Sequence, residues 1–545
     1  MMPFFMPFLL AMVITIALLP IFGRFAARWR VVDQPGYRKV HSMPVPRIGG
    51  VAMAIGVCIA AFVGVSLEAA DRYFLLAAGI LTLFGAMDDR FDLDYRVKLL
   101  GQVLAAAIVV FAGDTQIRAL TLDDRIFLPE WLSVPLTVIF LVGVTNAINL
   151  ADGLDGLAGG TTFLCLCALA MLAWSGGQGS SASLSLAFAG AVLGFLRFNT
   201  FPATIFMGDA GSQFLGFAVG VLSLRATQNG IGIFSAATPI LLLALPILDT
   251  LSVMVQRVGE GRSPFSADKN HIHHKLLALG FDHHEAVMLI YGIQAGLFLL
   301  AYWMRFESDL TILATVTVFF VAAIALLQYT SRRGWRLRSR KVAVAGSPLT
   351  RLITRLRDPQ RLPRWSYLAV CAATWVYATL VTVETARVSM DVRLLLMALL
   401  AITVVWFAFL GGRPLSTIEK AALYITAAVL VYLDSVVLHD HHSMAMFTWG
   451  AIAVMALATI LRLRMSADRR FELTPLDIIV LFVALVVPNL TGGFGLPDGG
   501  AAGIAKLVIL FYAIEVLVSR RELPVAWLRF AAAALLAGLI VRPLL

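Results

Sequence analysis

Long apolar segments separated by short polar connections set the pattern of this chain of 545 residues. Runs of about 17 to 25 apolar residues recur along its whole length, and a helix of that length crosses the ~30 Å hydrocarbon core of a bilayer. About eighteen runs are long enough, and as helices they satisfy their backbone hydrogen bonds internally. The pattern therefore predicts an all-α polytopic integral membrane protein.

The apolar runs form two groups on either side of a basic segment. About eleven lie in residues 1–330, a predicted membrane domain, and about seven in residues 365–545, a C-terminal membrane region of unknown function. Between them, residues 331–364 hold eleven of the 43 Lys and Arg residues, which predicts a basic cytoplasmic linker. The runs lie near residues 1–22, 48–67, 71–87, 99–113, 131–148, 160–175, 183–200, 210–225, 231–256, 285–303, 309–328, 366–386, 392–410, 418–437, 446–461, 475–489, 502–518 and 525–542.

The basic residues also predict the orientation of the helices. If the N-terminus lies outside and every run crosses, the cytoplasmic connections hold 34 of the 43 Lys and Arg residues, as the positive-inside rule requires. The net charge of +10 is then explained by helix orientation and by contact with anionic lipid. A nucleic-acid partner is excluded because the chain contains no soluble basic module.

Four polar segments interrupt the first group of runs, and all four fall at predicted cytoplasmic helix ends. The connections on the opposite side are short or bland, so the polar chemistry collects at one membrane surface. The segments are "GAMDDRFDLDYRVKLLGQ" (85–102), "NAINLADGLDGLAGG" (146–160), "RFNTFPATIFMGDAGSQFLG" (197–216) and "GEGRSPFSADKNHIHHKLLALGF" (259–281).

Five aspartates in these segments are candidates for metal binding. Asp88 and Asp89 are adjacent, and like charges so close repel each other unless a cation or a proton intervenes. With Asp152, Asp155 and Asp209 they offer hard oxygen ligands for Mg²⁺, which usually binds one or two carboxylates plus phosphate oxygens. The alternatives are a solvated loop for Asp88 and Asp89 and a helix cap for Asp209, which opens a helix whose N–H groups favour anions.

A histidine cluster supplies groups for phosphate. Lys269, His271, His273, His274 and Lys275 share one short loop, where imidazole and ammonium groups can donate to phosphate oxygens. Zinc is an alternative, but no cysteine or second histidine pair completes a tetrahedral site. A solvated loop is the other alternative.

A carboxylate inside an apolar run is a further candidate. Asp249 lies about two turns before a predicted cytoplasmic helix end, and an intramembrane carboxylate is functional by default. A buried hydrogen bond is the alternative. Carboxylates for a hard cation, groups for phosphates and glycines for close approach together indicate phosphoryl transfer at the inner membrane face, with a second reactant that arrives through the bilayer.

At these residues the chain resembles the polyprenyl-phosphate N-acetylhexosamine-1-phosphate transferases. This family transfers a sugar phosphate from a UDP-sugar to a lipid phosphate and releases UMP. The resemblance covers residues 1 to about 330 and rests on a set of motifs in order: "VHSMPVPRIGG", "DDR…KLLGQ", "NAINLADGLDGLAGG", "FNTFPATIFMGDAGS", "LPILDT" and "GRSPFSADKNHIHHKLLALGF".

The resemblance implies an Mg²⁺ enzyme, with Mn²⁺ as an alternative metal. Asp209 is then the carboxylate most directly tied to the metal, and Asp88 and Asp89 are further catalytic and metal-binding residues near the lipid phosphate. Asp88 is the candidate base, and Phe206 is expected to stack on uracil. The other implied substrate-binding residues are Arg47, Lys98, Asn149, Asp152, Asp155, Asn199, His271, His273 and His274.

Within the family the motif "SPFSADKNHIHH" resembles the branch that uses UDP-GlcNAc or a related UDP-HexNAc. The peptidoglycan branch, which takes UDP-MurNAc-pentapeptide, has three consecutive histidines, and here Ile272 interrupts the run. The implied acceptor is undecaprenyl phosphate in the bacterial inner membrane, with a cytoplasmic active site and a homodimer as the candidate assembly. Direct attack of the lipid phosphate is favoured over a covalent aspartyl-phosphate route, and a polytopic transporter is the alternative from another class.

Overall fold

We describe the protein from a computed structural model. It describes residues 2–34, 44–122, 124–228, 234–263, 270–333, 361–388, 390–410, 417–437, 442–465, 500–519 and 525–542. The described residues form two compact units, one within Met1–Ser339 and the other from Arg361 onward. Both units are helical, which confirms the predicted fold class.

The first unit contains thirteen α-helices among its described residues. A π-helical turn, Ile108–Ala112, extends α4, and two short antiparallel hairpins pair β1 with β2 and β3 with β4. The elements are α1 (Met2–Trp29), β1 (Val32–Asp33), β2 (Val45–Pro46), α2 (Gly49–Gly64), α3 (Ala69–Phe91), α4 (Tyr95–Ala107), β3 (Ala119–Thr121), β4 (Arg125–Phe127), α5 (Glu130–Ala151), α6 (Leu157–Ser175), α7 (Gly179–Asn199), α8 (Gly208–Gln228), α9 (Thr238–Leu242), α10 (Ala244–Gly259), α11 (Ile272–Ala278), α12 (His283–Trp303) and α13 (Asp309–Arg332).

Each of the eleven predicted runs in this unit coincides with a helix, except that the ninth is divided into α9 and α10 at Leu243. Pro246 explains the division, because it has no N–H to donate to the carbonyl of Leu242 four residues earlier. That carbonyl instead accepts a hydrogen bond of 2.9 Å from Nε2 of Gln294 in α12. The carbonyl that the break leaves free is therefore paired within the protein, as a buried backbone carbonyl requires.

Nine helices of the described chain are long and apolar enough to cross a membrane. Helix α8 is not among these nine, and it meets protein on every side. All of its residues from Ala210 to Gln228 are buried, and it packs against α2, α3, α5, α6 and α7. Its polar side chains are therefore screened from lipid, and a central helix of this kind can carry polar groups to the membrane surface.

Two glycines allow α2 and α3 to approach the first turn of α8. A Cβ atom on Gly50 would lie 2.1 Å from the backbone nitrogen of Gly211, and one on Gly85 would lie 2.5 Å from Cα of Ala210. Both contacts are with backbone, which cannot move aside as a flexible side chain can. The start of α8 is therefore fixed against two neighbouring helices.

We expect Gly50→Ala to destabilise the protein, because the added methyl group overlaps the backbone of α8. Overpacking typically lowers stability by about 1–3 kcal/mol. Thermal unfolding in detergent measures the effect. Gly79→Ala is the matched control, because no atom lies within 4 Å of its added Cβ and alanine favours a helix. Equal melting temperatures for the two variants would contradict this packing.

The second unit contains six helices among its described residues, and two buried ion pairs connect them. Glu419 accepts two hydrogen bonds from Arg529, of 2.6 and 3.2 Å. Asp434 accepts from Lys506 at 2.6 Å and from the hydroxyl of Tyr377 at 3.0 Å. The helices are α14 (Arg361–Glu384), α15 (Met390–Leu410), α16 (Thr417–Val437), α17 (His442–Met465), α18 (Gly500–Ser519) and α19 (Val525–Ile540); the predicted run at 475–489 and most of the predicted linker lie outside the described residues.

We expect Lys506→Met to destabilise the second unit, because it leaves the buried carboxylate of Asp434 without its cation. Breaking a buried ion pair on one side lowers stability by about 3–5 kcal/mol. The double variant Asp434→Asn with Lys506→Met removes both charges and should recover most of the lost melting temperature in detergent. A double variant that melts no higher than Lys506→Met would show that the charge pair is not the cause.

Candidate active site

An acidic centre forms where four helices of the first unit meet. The ammonium nitrogen of Lys98 in α4 lies 2.5 Å from Oδ2 of Asp88 in α3 and 3.1 Å from Oδ2 of Asp209 in α8. Asn149 at the end of α5 donates to Oδ1 of Asp209 at 3.0 Å and to Oγ of Ser212 at 2.9 Å. The structure thus brings together four residues that the sequence predicted as site residues.

A tight reversal between α3 and α4 places Lys98 over Asp88. Asp92 ends α3 in the left-handed conformation, with φ of 52°, and Oδ1 of Asp88 accepts the N–H of Leu93 at 2.8 Å. Asp94 then caps α4 by accepting the N–H of Arg96 at 2.9 Å. Short polar side chains are suited to both positions, so the aspartate-rich local sequence explains the turn.

Buried amides support this centre from inside the bundle. Nδ2 of Asn146 donates to Oε1 of Gln102 at 2.7 Å, and Nε2 of Gln102 lies 3.3 Å from Oε1 of Gln213. These residues connect α5, α4 and α8 one turn from the acidic centre. These three residues were not among the predicted site residues, although all of them stand in the quoted segments. Such a satisfied network makes the arrangement of the three helices rigid.

Asp89 faces a different neighbour from Asp88. Its carboxylate accepts the backbone N–H groups of Asp209 at 2.9 Å and of Ala210 at 3.1 Å. We interpreted the start of α8 as favouring anions, and the structure shows that two of its N–H groups are already paired with this carboxylate. The side chain of Asp89 therefore lies at the helix N-terminus, and the carboxylate of Asp88 lies against Lys98.

The donor set of the acidic centre suits a hard divalent cation. Among the described residues, no three Asp, Glu, His or Cys side chains form a group that could hold a metal ion by themselves. Magnesium usually binds one or two carboxylates and completes its shell with water and substrate phosphates. Asp88 and Asp209 provide two carboxylates that face the same ammonium group, so these residues fit Mg²⁺ in a complex with substrate.

Asn199 and Asp155 hold the loop that leads into α8. The amide of Asn199 accepts the N–H of Gly156 at 2.9 Å and donates to the carbonyl of Ile205 at 3.0 Å. Asp155 accepts the N–H of Ala203 at 2.9 Å. The structure gives these two predicted uridine-site residues contacts within the framework, and the side chain of Asp152 is exposed at the end of α5.

Phe206 and Arg47 lie together at the edge of the acidic centre. The N–H of Phe206 donates to the carbonyl of Pro46 at 2.8 Å, and its carbonyl accepts from Gly49 at 3.0 Å. This pairing forms a β-bridge between Arg47 and Phe206, and the Arg47 side chain forms an ion pair with Asp33. The half-buried ring of Phe206 therefore stands three residues before Asp209 on an anchored backbone.

Asp249 organises the histidine cluster. Its Oδ2 lies 2.8 Å from Nδ1 of His271, and its Oδ1 accepts the N–H of Ile272 at 2.6 Å, the first residue of α11. The structure shows the buried hydrogen bonds that the sequence offered as the alternative, and the functional role of this carboxylate stays a prediction. His274 is half-buried beside His273, and Lys269 lies outside the described residues.

His273 connects the histidine cluster to the loop after α5. A Cβ atom on Gly153 would lie 2.4 Å from its Nε2, so the imidazole packs directly on the glycine backbone. His273 is buried, and its Nε2 has no hydrogen-bond partner among the described residues. Burial, and then the neighbouring His274, lower the pKa of His273 to about 4, so the ring is neutral at neutral pH.

Together, the fold and the site define a polytopic membrane protein of the phosphotransferase class. Residues 72–227 match the model of glycosyl transferase family 4. The chain is 40% identical over 289 residues to the probable undecaprenyl-phosphate N-acetylglucosaminyl 1-phosphate transferase of Bacillus subtilis, an alignment that covers 52% of this chain and 80% of that protein. It therefore belongs to glycosyl transferase family 4, among the polyprenyl-phosphate N-acetylglucosamine-1-phosphate transferases, which confirms the resemblance of the motifs.

Two further relatives match a similar share of this chain. The decaprenyl-phosphate N-acetylglucosaminephosphotransferase of Mycolicibacterium smegmatis is 37% identical over 343 residues, covering 57% of this chain and 84% of that protein. The undecaprenyl-phosphate alpha-N-acetylglucosaminyl 1-phosphate transferase of Escherichia coli K12 is 31% identical over 328 residues, covering 58% of this chain and 87% of that protein. Each alignment covers little more than half of this chain.

We expect the protonation of His273 to destabilise the protein at acid pH. The folded state binds this proton less readily than the unfolded chain, whose histidine pKa is 6.5. Stability that is fully present above pH 6.5 is therefore lost as the pH falls towards 4, with about 2 kcal/mol lost between pH 7 and pH 5. Thermal unfolding in detergent at the two pH values should show a smaller decrease for His273→Gln than for the wild type. Equal decreases in melting temperature for the two proteins would contradict the lowered pKa of His273.

Proposed function

We propose that this protein transfers N-acetylglucosamine 1-phosphate from UDP-GlcNAc to undecaprenyl phosphate and releases UMP. The observation that carries the proposal is the convergence of Asp88, Asp209 and Lys98 at one end of a membrane helix bundle of this family. The proposal places this end at the cytoplasmic face of the bacterial inner membrane, where the product starts lipid-linked glycan synthesis.

The sugar is proposed from two observations. The relatives described above are named for N-acetylglucosamine, and none of those names contains a muramoyl peptide. The histidine motif of this chain is also interrupted by Ile272, whose N–H donates to Asp249. Both observations favour UDP-GlcNAc over UDP-MurNAc-pentapeptide. The family assignment of the first unit likewise disfavours a transporter.

Mg²⁺ is the proposed metal, with Asp209 and Asp88 as its protein ligands. When bound, such an ion neutralises phosphate charge and polarises the phosphoryl group. Lys98 is exposed enough to reach an incoming phosphate, because 30% of its side chain is accessible. In the free protein its ammonium group offsets part of the charge of the two carboxylates, and in the complex it is placed to contact a substrate phosphate.

The reaction exchanges one phosphoanhydride for another. An oxygen of the lipid phosphate forms a bond to the β-phosphorus of the UDP-sugar, and the bond from that phosphorus to the bridging oxygen breaks, so UMP leaves. Asp88 is the proposed base that takes a proton from the lipid phosphate. Catalysis then consists mainly of positioning and of charge stabilisation. Direct attack by the lipid phosphate is favoured over a covalent route through Asp89, because the carboxylate oxygens of Asp89 are already paired with the start of α8.

The histidine cluster is proposed to bind the phosphates of the nucleotide. His273 offers a buried ring nitrogen without a partner among the described residues, and a neutral imidazole donates one hydrogen bond without adding charge. Asp249 fixes the neighbouring His271 through Nδ1. The contact of His273 with Gly153 brings the cluster against the loop that carries Asp152, the predicted uridine side of the site.

We expect purified protein in lipid to release UMP only when Mg²⁺, undecaprenyl phosphate and UDP-GlcNAc are all present. Asp209→Asn should lower the rate about 10²–10³-fold, because it removes a group that stabilises charge in the reaction. UDP-MurNAc-pentapeptide serves as the alternative donor in the same assay. Release that prefers this donor would overturn the sugar assignment, and release that does not depend on Asp209 would overturn the site.

A further inference from the structure

Helix α8 has no side chain of its own to cap its first turn. The usual cap is a Ser, Thr, Asn or Asp that precedes the helix and accepts its first free N–H groups. Here Gly208 stands at the start, with φ of 69°, and Met207 before it is apolar. The cap comes instead from Asp89, which is 120 residues away in the chain and belongs to α3.

The carboxylate of Asp89 and the missing side chain of Gly208 occupy the same space. A Cβ atom on Gly208 would lie 2.3 Å from Oδ2 of Asp89. The left-handed backbone also favours glycine at this position. The Asp89 carboxylate of another helix therefore fills the space that a side chain at position 208 would need, and the two arrangements exclude each other.

This contact determines where Asp209 lies relative to Asp88. Asp88 and Asp89 are neighbours on the last turn of α3, and successive helix residues point in different directions. One carboxylate faces Lys98 and the other holds the N–H of Asp209 itself. A shift of the start of α8 would therefore move Asp209 away from Asp88 and Lys98.

We propose that Asp89 is a positioning residue. It caps α8 from α3 and so sets the spacing of Asp209 and Asp88, and it neither binds the metal nor attacks the substrate in the reaction. This inference rests on the proposed function, and it assigns the two adjacent aspartates different roles. It predicts that an uncharged cap in the same place can replace Asp89, which a metal ligand or a nucleophile would not permit.

A reciprocal pair of substitutions tests the inference. Asp89→Ala removes the cap and should lower kcat about 10²-fold, as misplacement of a reacting group by about 1 Å does. Gly208→Asn alone should be similarly impaired, because its side chain overlaps the Asp89 carboxylate. In the double variant the space is free, and asparagine tolerates the left-handed conformation and offers an uncharged acceptor oxygen in the space that the Asp89 carboxylate leaves. The double variant should be at least tenfold more active than Asp89→Ala, with the wild-type Mg²⁺ requirement.

Asp89→Asn is a second test that does not depend on a new side chain at position 208. It retains one acceptor oxygen without a charge, so positioning predicts a loss of about tenfold and an unchanged Mg²⁺ concentration for half-maximal rate. The inference is overturned if Asp89→Asn is as inactive as Asp89→Ala while both remain monodisperse and melt as the wild type does. It is equally overturned if the double variant shows no recovery, or if the Mg²⁺ requirement rises.

Wild-type protein in the same assay separates this inference from the proposed function. A wild type that releases no UMP contradicts the proposed function itself. An active wild type without recovery in the Asp89 and Gly208 double variant contradicts only the positioning role. Asp88→Asn is the comparison at the neighbouring residue, and it should stay impaired when combined with Gly208→Asn.

Discussion

The first N–H groups of α8 must be satisfied by protein, because this helix is buried among its neighbouring helices and carries Asp209 at its start. An unpaired buried N–H lowers stability by about 1–3 kcal/mol, so the position of the cap constrains the whole centre. Asp89 meets this requirement from α3, and the bare backbones of Gly50 and Gly85 allow the close helix approach on which the contact depends. The geometry of the acidic centre follows from that packing.

At other helix starts around the site, a side chain from a different helix also accepts a backbone N–H. Asp249 in α10 accepts the N–H of Ile272 at the start of α11, and Asn199 in α7 accepts the N–H of Gly156, just before α6. In each case a side chain of one helix satisfies the backbone of another, far away in the sequence. Each of these contacts connects a site loop to a membrane helix, which makes the loops rigid without burying unpaired polar groups.

Hydrophobic patterning predicted the helices of the first unit well, because transmembrane length and apolar composition are local properties. It missed the break at Leu243, because Pro246 stands within an apolar run. The carbonyl of Leu242 that this proline leaves free is paired by Gln294 of another helix, which a local pattern does not show. The motifs predicted the convergence of Asp88, Lys98 and Asp209 and suggested Asp88 as the base, but they assigned Asp88 and Asp89 alike to the metal and the lipid phosphate. Two adjacent residues share one sequence context, and only the neighbouring helix determines which carboxylate faces the centre and which faces a backbone.

The charges of the acidic centre give a physical reason for the proposed metal ion. Asp88 and Asp209 face one ammonium group, that of Lys98, so this ammonium group cannot neutralise both carboxylates and the phosphates of two incoming substrates. A phosphate that draws Lys98 towards itself leaves the carboxylates without their protein cation. The unbalanced negative charge then favours a nucleotide that arrives with a divalent cation over one that arrives without it. Under the proposed function the two carboxylates select for the metal complex of the donor, and the spacing that we propose Asp89 sets decides how well that complex fits.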